Sequence, residues 1–458
     1  MHLQLNGYLV SNPVNSISPL DGRYHNKTSE LSNYFSEFAL IKYRVFIEIQ
    51  YFIELSNTDI KIFQSLNNND KKNIESIYGN FCLEDAVRIK ELEKEINHDV
   101  KAVEYFIKMK FDELKLSKFK EFIHFGLTSQ DVNNTAVPLM LKDSMDNVIS
   151  LCYKKLINEL NQISSKLKDV AMISRTHGQP ATPTTFGKEF KVFEVRLLNQ
   201  IKSLNKIPNN GKFGGASGNL NAHYAAFPNI NWDKFSDKFL ERIGLERSKP
   251  TTQIEHYDNM ASKFHNLSRI NTILIDMCKD IWHYISINYL IQKVNKQEVG
   301  SSAMPHKVNP IDFENAEGNF MIANSQLIFL AEKLPVSRLQ RDLTDSTVSR
   351  NIGVPLSHIK IALDSLINGL KKIDVNERII NLDLKDNWAV VSEGIQTILR
   401  RENIENPYEI LKDLTRGNKN INEKSIKEFI NGLPVDKSVK KELLSLSPES
   451  YLGNLKND

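Results

Sequence analysis

The sequence has few of the features that would place a protein in a membrane, in an oxidising compartment or around a metal ion. Its 458 residues include three cysteines, Cys82, Cys152 and Cys278. They are too far apart for a disulfide framework or a metal-ligand pattern, so they fit a reducing compartment. The N-terminus lacks the basic start and apolar run of a signal peptide, and no apolar stretch is long enough to span a bilayer. We therefore predict a cytoplasmic protein that holds no metal.

An excess of charge of one sign is also missing. The 59 Lys and Arg residues nearly balance the 56 Asp and Glu residues, which leaves a net charge of +3. A balance this even indicates neither nucleic acid nor a membrane surface as a partner. The chain is long enough for two or three domains with a large core, and it contains no internal repeat or low-complexity block. Any basic binding site must therefore be local.

Glycine and proline are absent from long stretches, and these stretches have a helical pattern. Between Pro138 and Gly178 apolar residues recur at spacings of mostly three and four, which predicts an amphipathic helix of roughly 30 residues. Similar runs cover residues 188–207 and 251–299. Helices this long pack side by side, and apolar lateral faces imply burial against other subunits. We predict an all-α fold with an N-terminal helical domain, a central long-helix bundle and a C-terminal helical domain, at residues 1–117, 118–371 and 372–458.

The segment after the third run concentrates polar side chains in a loop. Residues 300–310 read GSSAMPHKVNP, and glycine and proline punctuate them. In an arbitrary loop such residues would usually form a polar connector that caps neighbouring helices. This string, however, resembles the signature loop of the fumarase/aspartase superfamily, helical lyases that eliminate fumarate from a succinyl-bearing substrate. From about Ser18 to the C-terminus the chain resembles the adenylosuccinate lyase family within that superfamily.

The resemblance implies a β-elimination and a role for several residues in it. Ser301 of the loop would take the proton from the succinyl arm. His177, within the segment 174–183 between two helical runs, would protonate the departing nitrogen. A serine hydroxyl is too weakly acidic to be anionic at neutral pH, so the site must stabilise the alkoxide. Lys307 and Asn309 would bind the succinyl carboxylate that takes up the charge.

Other segments would bind the rest of the substrate, although each also has a structural interpretation. The segment 18–24 is a turn, Asn97-His98-Asp99 fits a solvated helix face, and Thr128-Ser129-Gln130-Asp131 is a capping signal. The stretch 334–350 is rich in arginine, which suits a phosphate group, and it separates a nucleotide lyase from its siblings. The substrate-binding residues implied by the resemblance are Arg23, Tyr24, Asn97, His98, Asp99, Thr128, Ser129, Gln253, Ser302, Lys307, Val308, Asn309, Asn315, Arg341, Ser346, Thr347, Val348, Ser349 and Arg350.

The family pattern also implies a homotetramer with sites shared between subunits, and no cofactor. Two substrates are expected: adenylosuccinate, which gives AMP and fumarate, and the succinylated carboxamide ribotide SAICAR, which gives AICAR and fumarate. A sibling lyase such as argininosuccinate lyase, fumarase or aspartase stays open, and inhibition by AMP would discriminate. A non-enzymatic helical structural protein is the other alternative, but the presence of His177, Ser301 and Lys307 together argues against it.

Overall fold

The fold is given by a computed structural model, which describes residues 4–5, 8–9, 13–293, 304, 307–417 and 421–454. Ser301, Ser302 and most of the polar loop lie outside these residues. The described part of the chain contains twenty α-helices and only short strands, so the predicted all-α class is confirmed. In the same part of the chain, no helix is long and apolar enough to cross a membrane.

The helices of the first half are α1 (His25–Thr28), α2 (Ser32–Phe35), α3 (Glu37–Leu55), α4 (Asn68–Gly79), α5 (Leu83–Ile96), α6 (Asp99–Glu113), α7 (Ser129–Ser144), α8 (Ser150–Lys166), α9 (Phe186–Leu204), α10 (Asn221–Ala226) and α11 (Trp232–Arg242). Those of the second half are α12 (Asp258–Ser286), α13 (Ile311–Lys333), α14 (Thr344–Ser349), α15 (Gly353–Lys372), α16 (Glu377–Asp386), α17 (Ser392–Arg401), α18 (Pro407–Gly417), α19 (Glu423–Gly432) and α20 (Lys437–Leu444).

The strands form small two-stranded sheets. The antiparallel pairs are β1 (Gln4–Leu5) with β2 (Tyr8–Leu9), β3 (Ala171–Thr176) with β4 (Gln179–Thr185), and β7 (Leu290–Gln292) with β8 (Ile373–Val375). The parallel pair is β5 (Asn210–Gly211) with β6 (Glu246–Arg247).

Two of the long helical runs end differently from the prediction. The first consists of α7, a π-helical turn at Met145–Ile149, and α8, after which the chain enters the β3–β4 hairpin. Within residues 251–293, the described part of the third run, the helix covers Asp258–Ser286. Tyr257 just before it has φ 62°, and its amide donates to the Glu255 carboxylate. A left-handed residue cannot continue a helix, so Gln253 precedes α12 and does not open it.

The chain divides into two compact units. The first comprises Met1–Tyr153, Gln200–Thr272 and Gly318–Asp364, and the second comprises Lys154–Asn199, Ile273–Glu317 and Ser365–Asp458. The first unit has a core rich in aromatic rings, including the fully buried Tyr51, Phe111 and Trp232. The second includes a smaller apolar core around Ile395 and Leu443. The three predicted domains stay a prediction.

Candidate active site

Asp99 and Arg350, both implied at the substrate, meet in the first unit. Oδ2 of Asp99 accepts hydrogen bonds from Nη2 of Arg350 at 3.1 Å and Nη2 of Arg44 at 2.7 Å. Arg44 is only 2% exposed, and its Nε donates to Oδ1 of Asn133 at 2.9 Å. Burial opposes the ionisation of Asp99, but Arg44, the Val100 amide and Arg350 outweigh it, so its pKa lies below the ordinary value. Asp99 is therefore an anion at neutral pH that orients two guanidinium groups.

Asn97 and His98 shape the junction between α5 and α6. Asn97 ends α5 in the left-handed conformation, with φ 54°, which asparagine adopts more readily than most residues. Nδ1 of the exposed His98 accepts the Lys101 amide at 3.1 Å and so caps α6. The triplet thus has a structural role, and it also brings the Asp99 carboxylate to Arg350.

Thr128 and Ser129 lie at the start of α7, where the Thr-Ser-x-Asp pattern predicts a cap. Oδ2 of Asp131 accepts the Thr128 amide at 2.8 Å. Oδ1 of the same carboxylate accepts Nζ of Lys212 at 2.7 Å and the Gly214 amide at 2.8 Å. The Asp131 and Lys212 side chains are fully buried. One buried ion pair therefore fixes the start of α7 against the glycine-rich loop at residues 214–218.

That loop in turn holds Gln253, and Gln253 contacts Arg341. Nε2 of Gln253 donates to the Ala216 carbonyl at 3.0 Å. Its Oε1 accepts from Nη1 of Arg341 at 3.4 Å. Two further residues implied at the substrate are thus brought together in the first unit.

A small polar cavity lies beside α14 in the same unit. Its lining comprises Leu40, Arg44, Gln130, Asn133, Asn134, Val137, Tyr257, Asp345, Ser346, Ser349 and Arg350. Oδ2 of Asp345 accepts from Nε2 of Gln130 at 2.7 Å and from the Tyr257 hydroxyl at 3.2 Å. Among the described residues, Oε1 of Gln130 is buried without a hydrogen-bond partner, and Nε of Arg341 and Oδ1 of Asp345 form an ion pair at 3.8 Å that is too long for a hydrogen bond. Since buried polar atoms in native proteins almost always have a partner, these atoms fit a site that takes a polar ligand or ordered water.

Arg23 and Tyr24 lie in the turn that the sequence predicts. The Gly22 amide donates to the Ser18 carbonyl at 3.0 Å, and the Tyr24 amide donates to the Pro19 carbonyl at 2.9 Å. The guanidinium of Arg23 is 5.9 Å from the centre of the Tyr24 ring, and the side chain is exposed. The turn therefore presents a guanidinium and a phenol side by side.

In the second unit, His177 lies at the tip of the β3–β4 hairpin. Thr176 pairs with Gln179, so His177 and Gly178 form a two-residue turn, with φ 54° and 74°. Positive φ at both positions is the geometry of a type I′ turn, which matches the twist of the strands. Nη2 of Arg175 donates to Oδ2 of Asp383 at 2.5 Å and anchors the hairpin to α16. The imidazole of His177 is exposed at the tip of this anchored hairpin.

The described residues from the end of the polar loop to Glu317 also belong to the second unit. The exposed Lys307 donates its amide to the Met304 carbonyl at 3.0 Å, and the Val308 carbonyl accepts Nε2 of Gln292 at 2.8 Å. Asn309 follows in the same irregular segment, and Oδ1 of Asn315 on α13 accepts the Ser365 hydroxyl at 2.9 Å.

In the first unit, Thr347 and Val348 lie within α14, and Thr347 is exposed.

The interpretation of the sequence missed Arg44, Gln130 and Asp345. Arg44 had a signal, because it interrupts the apolar run of α3 with a full charge. Gln130 had none, because the burial of the polar residues near the start of α7 is visible only in the structure. Asp345 had none beyond its place among the arginines, because its partners are distant in the chain.

Comparison with known proteins gives matches over most of the chain. Residues 22–323 match a family model described as lyase, and residues 337–452 match one described as adenylosuccinate lyase C-terminal. A curated adenylosuccinate lyase of Dictyostelium discoideum is 55% identical over 452 residues, which is 96% of this chain and 97% of that protein. The adenylosuccinate lyase of Escherichia coli (strain K12) is 46% identical over 442 residues, with coverage of 96% and 97%.

Solved structures resemble the fold at low sequence identity. A fumarate lyase from Mesorhizobium sp. BNC1 superposes with a TM-score of 0.73 at 17% identity, over 93% of this chain and 95% of that one. A 3-carboxy-cis,cis-muconate lactonizing enzyme from Pseudomonas putida gives a TM-score of 0.68 at 18% identity, over 93% and 94%. At such identities the likeness establishes the fold alone.

Proposed function

This chain belongs to the adenylosuccinate lyase family, and from that premise we propose which substrates it uses and which of its residues carry the reaction. It eliminates fumarate from adenylosuccinate to leave AMP, and from SAICAR to leave AICAR. The observation that carries the proposal is 55% identity to an adenylosuccinate lyase over 96% of the chain. The scarcity of cysteine further supports a cytoplasmic enzyme.

The chemical step needs a base, an acid and a group that stabilises negative charge. Ser301 removes the proton from the carbon beside the succinyl carboxylate, and Lys307 with Asn309 stabilises the charge that this carboxylate takes up. The C–N bond then breaks with its electron pair on nitrogen. His177 donates a proton to that nitrogen, so AMP leaves with a neutral amino group and AICAR leaves with a neutral carboxamide. An exposed imidazole on a rigid turn suits a residue that must reach into a site.

The nucleotide end of the substrate is taken by the first unit. Arg23 and Tyr24 form a ready pair for a phosphate, because a guanidinium binds phosphate oxygens through two parallel hydrogen bonds. Arg341, Ser346 and Arg350 contribute further donors, and the buried Oε1 of Gln130, which has no hydrogen-bond partner among the described residues, supports a polar ligand beside α14. Thr128, Ser129 and Gln253 bind the succinyl end together with Lys307 and Asn309.

We propose a homotetramer in which each site draws on several subunits. Apolar side chains on the long helices support this assembly, because a monomer would leave them in water. On α9, Val192, Val195 and Leu198 are 40%, 44% and 43% exposed, at a helical spacing of three. On α13, Ile322 and Phe329 are 46% and 53% exposed. Contiguous exposed apolar faces of this kind mark protein interfaces.

A spectrophotometric assay with adenylosuccinate tests the proposal directly. We expect turnover of adenylosuccinate and SAICAR, no turnover of argininosuccinate, and competitive inhibition by AMP. Turnover of argininosuccinate without inhibition by AMP would assign the chain to a sibling activity, and absence of any lyase activity would contradict the proposal.

A further inference from the structure

A second cavity lies in the first unit. Its lining residues differ from those of the candidate active site. It has a volume of about 620 Å³ and is lined by α2, α3, α4, α7 and the C-terminal end of α11. That volume falls within the usual range for sites of small molecules, roughly 300–1,000 Å³. We call it the α3 groove. None of its lining residues lines the cavity beside α14, and none is among the residues implied at the substrate.

One wall of the α3 groove is aromatic. Phe38, Tyr43 and Phe46 contribute rings from α3, and Tyr78 contributes one from α4. The Phe46 and Tyr78 rings meet edge to face, with centres 5.1 Å apart and an interplanar angle of 86°. The Tyr43 hydroxyl donates to Oδ2 of Asp143 at 2.8 Å, so its polar end already has a partner. The wall therefore offers ring faces and edges, which favour another flat ring.

The rim of the groove is cationic. It carries Lys42, Lys142 and Arg242 but only one carboxylate, that of Asp143. Lys142 is shared between Asp143 at 3.5 Å and Asp146 at 3.2 Å. Arg242 pairs with Glu54 at 2.8 Å. Within the described residues Lys42 has no ion-pair partner, so its ammonium can pair with an anionic ligand.

We propose that the α3 groove binds a small planar aromatic anion. The ring packs against Phe38, Phe46 and Tyr78, and the acidic group, whether carboxylate, phosphate or sulfonate, pairs with Lys42. A purely apolar occupant would leave the Lys42 charge uncompensated, and an anion without a ring would leave the aromatic wall in water. The proposal is independent of the catalytic assignment, because the two sites share no residue.

The α3 groove and the cavity beside α14 are both lined in part by α3 and α7. On α3, Tyr43 bonds to Asp143 of α7 in the groove, and the adjacent Arg44 bonds to Asn133 of α7 beside Asp99. A ligand seated against Tyr43 thus contacts the same pair of helices that positions Arg44 and Asp99.

The test uses the full-length protein and the fluorescent aromatic anion 8-anilinonaphthalene-1-sulfonate. Lys42→Glu reverses the charge that the proposal assigns to the ligand. Lys94→Glu is the matched control, because Lys94 is an exposed lysine of α5 outside the groove. We expect Lys42→Glu to weaken binding of the probe about tenfold or more, and Lys94→Glu to change it by less than about twofold. Circular dichroism melting checks that both variants are folded.

A neutral probe separates recognition of the negative charge from nonspecific hydrophobic binding. N-phenyl-1-naphthylamine keeps the ring system without the sulfonate, so we expect it to bind both Lys42→Glu and wild type with affinities within about twofold. Equal affinity of wild type and folded Lys42→Glu for the sulfonate probe would overturn the proposal. Displacement of that probe by AMP, with no effect of Lys42→Glu, would place the probe in the active site and would overturn the proposal as well.

Discussion

A single buried arginine gives Asp99 its place in the site. Without Arg44, the Asp99 carboxylate would have Arg350 as its only guanidinium partner, and Arg350 also pairs with Glu37 at 2.7 Å. With Arg44 only 2% exposed, the geometry of Asp99 is fixed from inside the protein. Truncating one partner of such a buried pair leaves the other charge uncompensated, so the geometry of the site depends on Arg44 through Asp99.

The assignment of Ser301 as the base predicts a large and specific loss. Ser301→Ala should lower kcat by a factor on the order of a thousand or more, as expected for an essential catalytic group. The melting temperature should hardly change, because the substitution removes one hydroxyl. Steady-state kinetics with adenylosuccinate and a thermal melt measure both. A variant that keeps a tenth of the wild-type kcat would rule out Ser301 as the base.

The assignment of Arg23 to the phosphate predicts a coupling between substrate and enzyme. Removing the 5′-phosphate from adenylosuccinate should lower kcat/KM of the wild type strongly, because a charge-assisted contact is lost. Arg23→Ala has already lost that contact, so the same removal should cost it less. The four values of kcat/KM form a double-mutant cycle. Equal penalties in the two enzymes would show that Arg23 does not meet the phosphate.

At the scale of elements, α7 depends on one buried ion pair at its start. Asp131→Asn would leave the Lys212 ammonium fully buried without its counter-charge, at a cost of about 3–5 kcal/mol in the free energy of unfolding. Asp146→Asn, which removes a largely exposed partner of Lys142, should cost less than about 1 kcal/mol. Urea unfolding measures both. Similar midpoints for the two variants would mean that the buried pair does not hold α7.

α10 gives the fold a dependence on pH through His223. Burial lowers the pKa of this imidazole from 6.5 to about 4, and its Nε2 lies 2.9 Å from the Tyr51 hydroxyl. Between these two pKa values the unfolded chain binds more protons than the folded one, so stability falls as the pH drops.

At pH 5 the loss from this one residue should be about 2 kcal/mol relative to neutral pH. His223→Gln, which cannot titrate, should lose correspondingly less between pH 7 and pH 5 in urea unfolding. The same decrease in wild type and variant would exclude His223 as the source.

Hydrophobic periodicity predicts elements that depend on residues close in sequence, and it misses contacts between residues that are distant in the chain. The helical pattern locates α8 and α9, because their apolar residues repeat along one face. It misses the β3–β4 hairpin, since short strands inside a run without glycine look like a continuing helix until Gly178. The site divides in the same way. The cap at Thr128 can be predicted from neighbours in sequence, but the contact between Asp99 and Arg350 joins residues 251 positions apart. Only the resemblance to a family indicated that Asp99 and Arg350 both belong to the site.

At the scale of the whole molecule, the proposed assembly predicts that two inactive variants complement each other when their subunits are mixed. His177 and Ser301 are far apart in the sequence, and the family resemblance implies that the two segments meet in one site from different chains. His177→Ala and Ser301→Ala should each be inactive alone. In randomly mixed tetramers at equal ratio, a site that takes one segment from each of two chains has both residues intact in roughly a quarter of cases.

Activity should therefore rise from near zero to about a quarter of the wild-type value after the two variants are partly denatured and refolded together. Mixing them without subunit exchange is the control and should restore nothing. Mixed tetramers are verified by tagging one variant and purifying through the tag. In the proposed tetramer the apolar faces of α9 and α13 would be buried and would have to separate first, so we expect the exchange to depend on denaturant. If purified mixed tetramers remain inactive, His177 and Ser301 act from one chain and the shared-site proposal is wrong.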